Sequence, residues 1–296
     1  MPLNYVTTFG NVLRELYGQA LLSDDLYHSN EDIQIINTKN LKLPTLSVSG
    51  YKDHTRAAQF NSGIYQNDFQ LVSLDHDRDI EFAVDPMDVD ETNQVVSVAN
   101  IHKRFENTQA IPELDCYTFS KLYTEAVRAG VTVDNTALTT ANILGKLDDD
   151  MVALADEGVP LERCILYLTN GTHKLLKNAQ GIERELNVSG SGNRIDRRVY
   201  SLDDIGKIKK VPSGRFMTAY NFTNGYAVAA SGKQINYILV DPEAQVSRVK
   251  YSYIKMFEPG SDSRTSDRYL YQNRRFNGTF GIDELLAKGC RINAAS

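Results

Sequence analysis

The chain has 296 residues, of which 42% are hydrophobic and 24% are charged, so it can bury a substantial core in one large or two smaller domains. Its formal net charge of −6 argues against a dedicated nucleic-acid-binding protein, because such surfaces neutralise phosphates with lysine and arginine. The sequence shows no signal peptide and no apolar run of about 18 residues, which predicts a cytoplasmic product without a membrane span.

The first segment, residues 1–40, combines a helical pattern with a β-prone piece. Leu16 and Leu21 belong to one helical side, and residues 33–36 are rich in isoleucine. An ordinary first helix of a domain and an extended arm both fit this pattern.

Residues 41–85 predict a long β-hairpin. Two β-prone arms flank a polar, glycine-containing middle, and the second arm ends with Ile80, Phe82 and Val84 alternating with acidic residues. A hairpin with so few large apolar residues has little core of its own, so it should be mobile unless another chain covers it. A plain hairpin within a sheet is the alternative.

Residues 86–135 predict a long helix in two parts. Pro86 stops the preceding strand, and the acidic residues behind it favour a helix N-terminus. Pro112 disfavours helical geometry at the residue before it, so a second part is predicted to begin at Asp115, as its N-cap, and to end at Gly130.

Residues 136–235 have the pattern of a separate α/β unit. An apolar helical stripe over 144–154 precedes a strand at 164–168, which reads as buried on both faces. A further helix follows that strand, the Gly- and Ser-rich residues 187–193 predict a flexible loop, and a short helix is predicted within 202–211.

The last segment, residues 236–296, returns to β-structure. Strands are predicted at 237–240, 246–257 and 268–281, with a turn-rich stretch before the last of them. The two long strands can pair as an antiparallel hairpin and lie under the long helix.

Several short stretches and their order resemble the major capsid proteins of tailed bacteriophages. These are D-P-M-D-V-D-E at 85–91, I-P-E-L-D at 111–115, and Y-L-Y-Q-N-R-R-F-N-G-T-F-G at 269–281. The resemblance implies an α+β, Hong Kong 97-like fold. It further implies an N-terminal arm (1–40), an extended hairpin loop (41–85), a peripheral domain with a spine helix (86–135 and 236–296) and an inserted axial domain (136–235).

The same resemblance implies a structural, non-enzymatic coat protein. Its copies would form the hexamers and pentamers of an icosahedral head that encloses double-stranded DNA without sequence-specific binding. A portal protein is expected, and so is a separate scaffolding protein, since no large extension precedes the arm. The protein would be assembled in the host bacterial cytoplasm and reside in the virion. The residues expected at inter-subunit contacts are Leu13, Leu16, Tyr17, Tyr51, Lys52, Arg56, Phe60, Asp262, Arg264 and Arg268.

Two other functions remain open from the sequence: a nanocompartment shell of the same fold that encloses protein cargo, as encapsulins do, and a two-domain α/β enzyme. Neither catalytic nor cofactor-binding nor metal-binding residues are predicted, because the sequence lacks nucleotide-binding, hydrolase and H-E-x-x-H motifs. Asp75-His76-Asp77 is interpreted as a solvated charge cluster. Three cysteines among apolar neighbours predict buried thiols.

A covalent link between subunits is a further possibility implied by the resemblance. Some shells of this fold join a lysine of the extended loop to an asparagine of a neighbouring subunit. Lys52 with Asn273 or Asn277 would be the candidates here, although nothing in the local sequence singles out that pairing.

Overall fold

The structure, a computed structural model, describes residues 20–29, 40–54, 61–91, 98–179, 202, 204–261 and 263–295. Within these residues the fold is mixed α+β, as predicted, with one five-stranded, one three-stranded and two two-stranded sheets. Every helix in the same residues is too short or too polar to cross a bilayer.

The long helix runs from Val98 to Arg128 as a continuous spiral. It consists of α3 (Val98–Phe105), a π-turn (Glu106–Ala110) and α4 (Ile111–Arg128). The predicted break at Pro112 is wrong, because this proline stands at the beginning of α4, behind the wider π-turn, where its missing N–H is tolerated.

The end of the long helix is formed as the sequence predicts. Gly130 has φ of +93°, which glycine adopts without steric cost. The amide of Val131 donates to the carbonyl of Ala126 at 3.0 Å, and the amide of Gly130 donates to that of Val127 at 3.1 Å. These two hydrogen bonds are the Schellman arrangement that closes a helix.

A three-stranded antiparallel sheet packs against this helix. In sheet order its strands are β10 (Gln245–Phe257), β11 (Tyr269–Gly281) and β3 (His76–Val84). The predicted pairing of β10 with β11 is confirmed, and α3 and α4 both contact β11. Pro86 ends β3 as predicted and begins α2 (Pro86–Glu91).

A five-stranded mixed sheet is the second large sheet of the fold. In sheet order its strands are β4 (Val133–Asp134), β12 (Cys290–Ala294), β9 (Ile235–Val240), β5 (Ile165–Thr169) and β6 (Lys207–Val211). The resemblance implies that residues 236–296, which contain most of β9 and all of β12, belong to the peripheral domain. In the structure both strands hydrogen-bond into this sheet. The helix predicted within 202–211 is wrong over 207–211, because these residues pair in parallel with β5.

Strand β5 is buried on both faces, as its apolar run predicts. Ile165 and Tyr167 point into a core that contains Phe119 of α4, whereas Leu166 and Leu168 point into a second core. The second core is covered by α5 (Ile143–Asp156) and α6 (Asn170–Lys177). The sheet therefore separates two apolar cores.

The first hairpin consists of β1 (Asn40–Val48) and β2 (Tyr65–Ser73), paired antiparallel along their whole length. Its second arm is shorter than predicted, because β3 leaves the hairpin and pairs with β11. The smaller elements are α1 (Asp24–Tyr27), β7 (Tyr220–Asn221), β8 (Ala227–Val228) and α7 (Asp283–Gly289).

Candidate assembly surfaces

The β1–β2 hairpin is fastened to the body at its base. The Gln70 side chain donates from Nε2 to the Gly281 carbonyl at 2.6 Å and to Oδ1 of Asp283 at 2.8 Å, and its oxygen accepts from the Asp283 amide at 3.1 Å. A small buried cluster adds apolar contact; it contains Val72, Leu74, Val246 and Phe280. The base therefore has a core, and it fixes the direction in which the rest of the hairpin projects.

The outer part of the hairpin exposes large apolar side chains. Between 54% and 76% of the residue surface is exposed at Leu46, Val48, Ile64, Tyr65 and Phe69. Burial of such apolar surface by another chain would stabilise the contact by about 25 cal/mol for each Å² that is removed from water. This stretch matches the sequence prediction of a hairpin with too little interior of its own.

In the described part of the hairpin tip, Tyr51 is fully exposed. Lys52 donates from Nζ to the carbonyl of Ser62 at 3.3 Å, and Asn61 donates to the carbonyl of Asp53 at 2.8 Å. Of the four predicted hairpin contact residues, Tyr51 and Lys52 thus lie together at the surface. The other two, Arg56 and Phe60, lie outside the described residues.

The N-terminal segment is described only in part. Leu13, Leu16 and Tyr17, the predicted arm contacts, lie outside the described residues. Residues 20–29 are held against the body by a buried carboxylate: Oδ1 of Asp115 accepts from the amide of Ser23 at 3.0 Å and from its hydroxyl at 2.8 Å. Oδ2 of Asp115 accepts from Nη1 of Arg215 at 2.8 Å.

Asp115 is therefore not the N-cap that the sequence predicts. It lies inside α4 and is completely buried, with the guanidinium of Arg215 almost as deep. Burial raises the pKa of Asp115, while the hydrogen bonds from Ser23 and Arg215 favour the ionised form. The side chain functions as a buried anchor for the N-terminal segment.

A second anchor holds the other end of residues 20–29. Arg248 of β10 donates from Nη2 to the carbonyl of Ser29 at 2.6 Å and from Nη1 to the carbonyl of Tyr27. Gln245 donates to the carbonyl of Leu26 at 2.8 Å. Residues 20–29 are thus hydrogen-bonded to α4 through Asp115 and to β10 of the three-stranded sheet through Gln245 and Arg248.

The late turn between β10 and β11 displays arginines. Its backbone is closed by hydrogen bonds from Gly260 to the carbonyl of Ser266 at 2.7 Å and from Arg268 to that of Thr265 at 2.8 Å. Arg264 and Arg268 are both exposed, and the Arg264 guanidinium lies 5.5 Å from the centre of the Phe257 ring. Asp262, the third residue predicted here, lies outside the described residues.

Strand β10 offers a surface that the sequence analysis missed. Within the described residues it is an edge strand of its sheet, and 43% to 49% of the residue surface is exposed at Val249, Tyr251, Ile254 and Met256. Edge strands with exposed apolar residues are sites where other chains pair or pack. The sequence Y-S-Y-I-K-M-F at 251–257 could have indicated this surface, because large apolar residues occupy both alternating sets of positions. A strand that packs on one face only can bury one of these sets.

The two asparagines considered for a covalent link line a cleft of about 720 Å³ between β3, β11 and the π-turn. Both are nearly buried, and Asn273 donates to Oε1 of Glu106 at 2.7 Å. Nη2 of Arg275 donates to the other oxygen of Glu106 at 2.8 Å. Both oxygens of the Glu106 carboxylate are therefore already engaged, one by Asn273 and the other by Arg275.

Asp75-His76-Asp77 is not a solvated cluster throughout. Asp75 accepts from the Tyr117 hydroxyl at 2.6 Å and from Lys121 at 2.7 Å, whereas His76 is buried and stacks on the Tyr117 ring with centroids 4.0 Å apart. Burial, and then the charge of Arg78, lowers the pKa of His76 to about 4. The imidazole is neutral at physiological pH and has a packing role.

The described residues contain no cluster of histidine, cysteine and acidic side chains that could hold a metal ion. The three cysteines are buried and unpaired, as predicted. Burial raises the pKa of Cys164 to about 11 and those of Cys116 and Cys290 to about 12, so these thiols stay protonated and are not nucleophiles.

No protein-family model and no curated protein matches the sequence. Solved structures do match in three dimensions. The mature capsid of bacteriophage PhiM1 superimposes with a TM-score of 0.70 at 12% identity, over 99% of this chain and 92% of that chain. This chain has a phage capsid fold.

Two further structures agree over nearly complete chains. The capsid structure of cyanophage P-SCSP1u gives a TM-score of 0.65 at 13% identity and covers 99% of this chain and 93% of its own. A structure from Mycobacterium phage Che8 gives 0.65 at 12% identity, with 98% and 97% covered. The resemblance predicted from the sequence is confirmed at the level of the fold.

Proposed function

We propose that the protein is a major capsid protein, whose copies self-assemble into the shell of a phage head. One observation carries this proposal. The chain shares its fold with phage capsid structures over nearly its whole length, and it projects a hairpin whose apolar outer part stays exposed among the residues that the structure describes. Other copies of the chain are the natural source of cover for this part.

The proposed mechanism of assembly is geometric. If one copy lays its hairpin on the body of the next, the contact is heterologous, and a heterologous contact closes into a ring when its rotation matches the symmetry. Rings of six and five copies would then join into an icosahedral shell. The exposed edge of β10 supplies a second apolar surface for such contacts.

We assign the parts of the chain accordingly. Residues 1–40 would form the arm, 41–85 the extended loop, 86–135 with 236–296 the peripheral domain, and 136–235 the axial domain. Strands β9 and β12 of the 236–296 segment would complete the sheet of the axial domain. Tyr51 and Lys52 at the tip would contact a neighbouring copy, and Arg264 and Arg268 would pair with acids of other copies near local three-fold axes. A single exposed pair of this kind contributes about 0–1 kcal/mol, so the repetition over many copies matters more.

The proposed partners follow from the same role. Copies of the chain would enclose double-stranded DNA without reading its sequence, and a scaffolding protein and a portal would direct assembly in the host cytoplasm. The net charge of −6 suits this role, since a chain with an excess of negative charge does not bind DNA strongly overall.

The test is electron microscopy of the full chain, produced with and without its co-encoded scaffold. We expect closed particles with resolved rings of six and five subunits, together with a large species in light scattering. A chain that stays a monodisperse monomer under both conditions contradicts the proposal. Particles filled with protein instead of DNA, when isolated from infected cells, would favour the nanocompartment alternative.

A further inference from the structure

Helix α6 carries a row of basic and amide side chains that are exposed or partly exposed. They line a shallow depression of about 330 Å³, formed by Asn170, His173, Lys174, Lys177 and Asn178. Residues at three- and four-residue spacing share one side of a helix. Leu176, on the opposite side, is completely buried in the second core, so this row is the outer side of α6.

A third lysine joins this surface from strand β6. Lys207 and Lys209 project from one face of the strand and reach the carboxylate of Asp25. Lys210 projects from the other face, the face on which Ile208 packs against the core under α6. Burial, followed by the charges of Lys210 and Lys177, lowers the pKa of His173, which agrees with this proximity.

The three lysines differ from several other lysines in the part of the chain that the structure describes, because no described carboxylate pairs with them. Among the described residues none of them has a carboxylate within 4.0 Å. Several other lysines do have one, namely Lys121, Lys146, Lys207, Lys209 and Lys288. The favourable field at a helix C-terminus explains Lys174 and Lys177, but it does not explain Lys210, which comes from a strand.

Positive charges that lie close together repel one another, which costs electrostatic free energy. A polyanion that binds from outside would offset this repulsion. We propose that Lys174, Lys177 and Lys210, here called the α6 patch, contact the phosphates of packaged double-stranded DNA; this inference rests on the proposed function. The patch thereby assigns this side of the five-stranded sheet to the inside of the shell. Three contacts per subunit bind weakly, so the DNA stays free to move while it is packaged.

The experiment titrates the purified full chain into a fluorescently labelled DNA duplex and follows anisotropy at several salt concentrations. Each phosphate contact adds about 0.9 to the slope of log affinity against log salt, so we expect a slope of about −3 for the wild type. The variant K174Q/K177Q/K210Q should bind at least about tenfold more weakly at low salt, with a slope near zero.

Two matched variants control for folding and for net charge. K174R/K177R/K210R keeps the charges and should bind like the wild type. K146Q/K233Q/K288Q removes three charges elsewhere and should change affinity by less than about twofold. Equal DNA binding by the wild type and K174Q/K177Q/K210Q overturns the inference, and so does wild-type binding to an acidic polypeptide but not to DNA.

Failure of this inference is distinguishable from failure of the proposed function. Particle formation is scored separately by electron microscopy and does not depend on the patch. Lysine acetylation of DNA-filled particles adds an independent measurement, in which Lys174, Lys177 and Lys210 should be protected relative to emptied particles. Closed particles in which these lysines react equally with and without DNA would leave the capsid proposal intact and refute the patch.

Discussion

At the scale of single residues, the buried pair of Asp115 and Arg215 decides how the N-terminal segment is held. Replacing Asp115 by Asn leaves the Arg215 guanidinium buried without a counter-charge, which we expect to cost about 3–5 kcal/mol of unfolding free energy. Urea denaturation of the purified chain measures this loss. D24N is the control, because the Asp24 side chain is half exposed and pairs with the exposed His28 at 3.3 Å, so its loss should stay below about 0.5 kcal/mol.

A double variant separates the charge from the packing. D115L/R215M removes both buried charges, and it should be less destabilising than D115L alone. If D115N unfolds at the same urea concentration as the wild type, the buried pair is not the anchor of residues 20–29.

His76 gives the chain a pH dependence whose sign is fixed by its environment. Burial, followed by the charge of Arg78, lowers its pKa to about 4, whereas the unfolded chain takes up the proton near pH 6.5. The stabilising contribution is therefore complete above pH 6.5 and is lost as the pH falls from 6.5 to about 4, by up to about 3 kcal/mol.

The corresponding measurement compares unfolding free energies of the wild type and H76F at pH 7 and at pH 4.5. Phenylalanine keeps the stacking on Tyr117 but cannot be protonated, so we expect H76F to lose much less stability on acidification. H28Q, at the exposed His28, should retain the wild-type dependence. Asp75 does not interfere in this range: burial alone would raise its pKa, but hydrogen bonds from Lys121 and Tyr117 lower it. Identical pH profiles for H76F and the wild type would refute this assignment.

At the scale of elements, the hairpin divides into a base that stabilises the subunit and an outer part that does not. L46S/V48S/Y65S should change the unfolding free energy of the free chain by less than about 0.5 kcal/mol, because these side chains are already in water. The same variant should fail to form particles, since the apolar surface for a neighbouring copy is gone. Light scattering and urea denaturation measure the two effects.

The control lies at the hairpin base. L74A removes a buried side chain and should cost about 2–5 kcal/mol in the free chain. Normal particles from L46S/V48S/Y65S would show that the outer hairpin is not an assembly surface.

At the scale of the whole molecule, the geometry around Asn273 bears on how copies are joined. Arg275 occupies the Glu106 carboxylate, and both asparagines are nearly buried, so we expect non-covalent shells. Purified particles should therefore give one single-chain band on a denaturing gel. K52R is the control and should migrate identically; a ladder of multimers that disappears in K52R would prove the covalent link.

Most of the individual elements could be predicted from local patterns. Ile80, Phe82 and Val84 alternate as a strand requires, and the helix α5 follows the apolar stripe over 144–154 and ends before Gly158, whose φ is +79°. The outer hairpin was also predictable as a candidate surface, because its composition shows how little it can bury. Such features depend on residues within a few positions of one another.

Other features depended on partners far along the chain. Asp115 was misread as an N-cap because its partners Ser23 and Arg215 are 92 and 100 residues away. Residues 207–211 became a strand because β5 was available as a parallel neighbour, and the edge position of β10 follows from sheet order alone.

The sequence by itself determined the period of each helix and strand, the glycines and prolines that end them, and the resemblance of their order to phage capsid proteins. Only the tertiary structure decided which strands share a sheet, which charges are buried as pairs, and which apolar side chains of the described residues stay exposed. The physical reason is range: backbone propensity and turn chemistry act within a few residues, whereas burial and strand pairing are set by segments that meet only when the chain has folded.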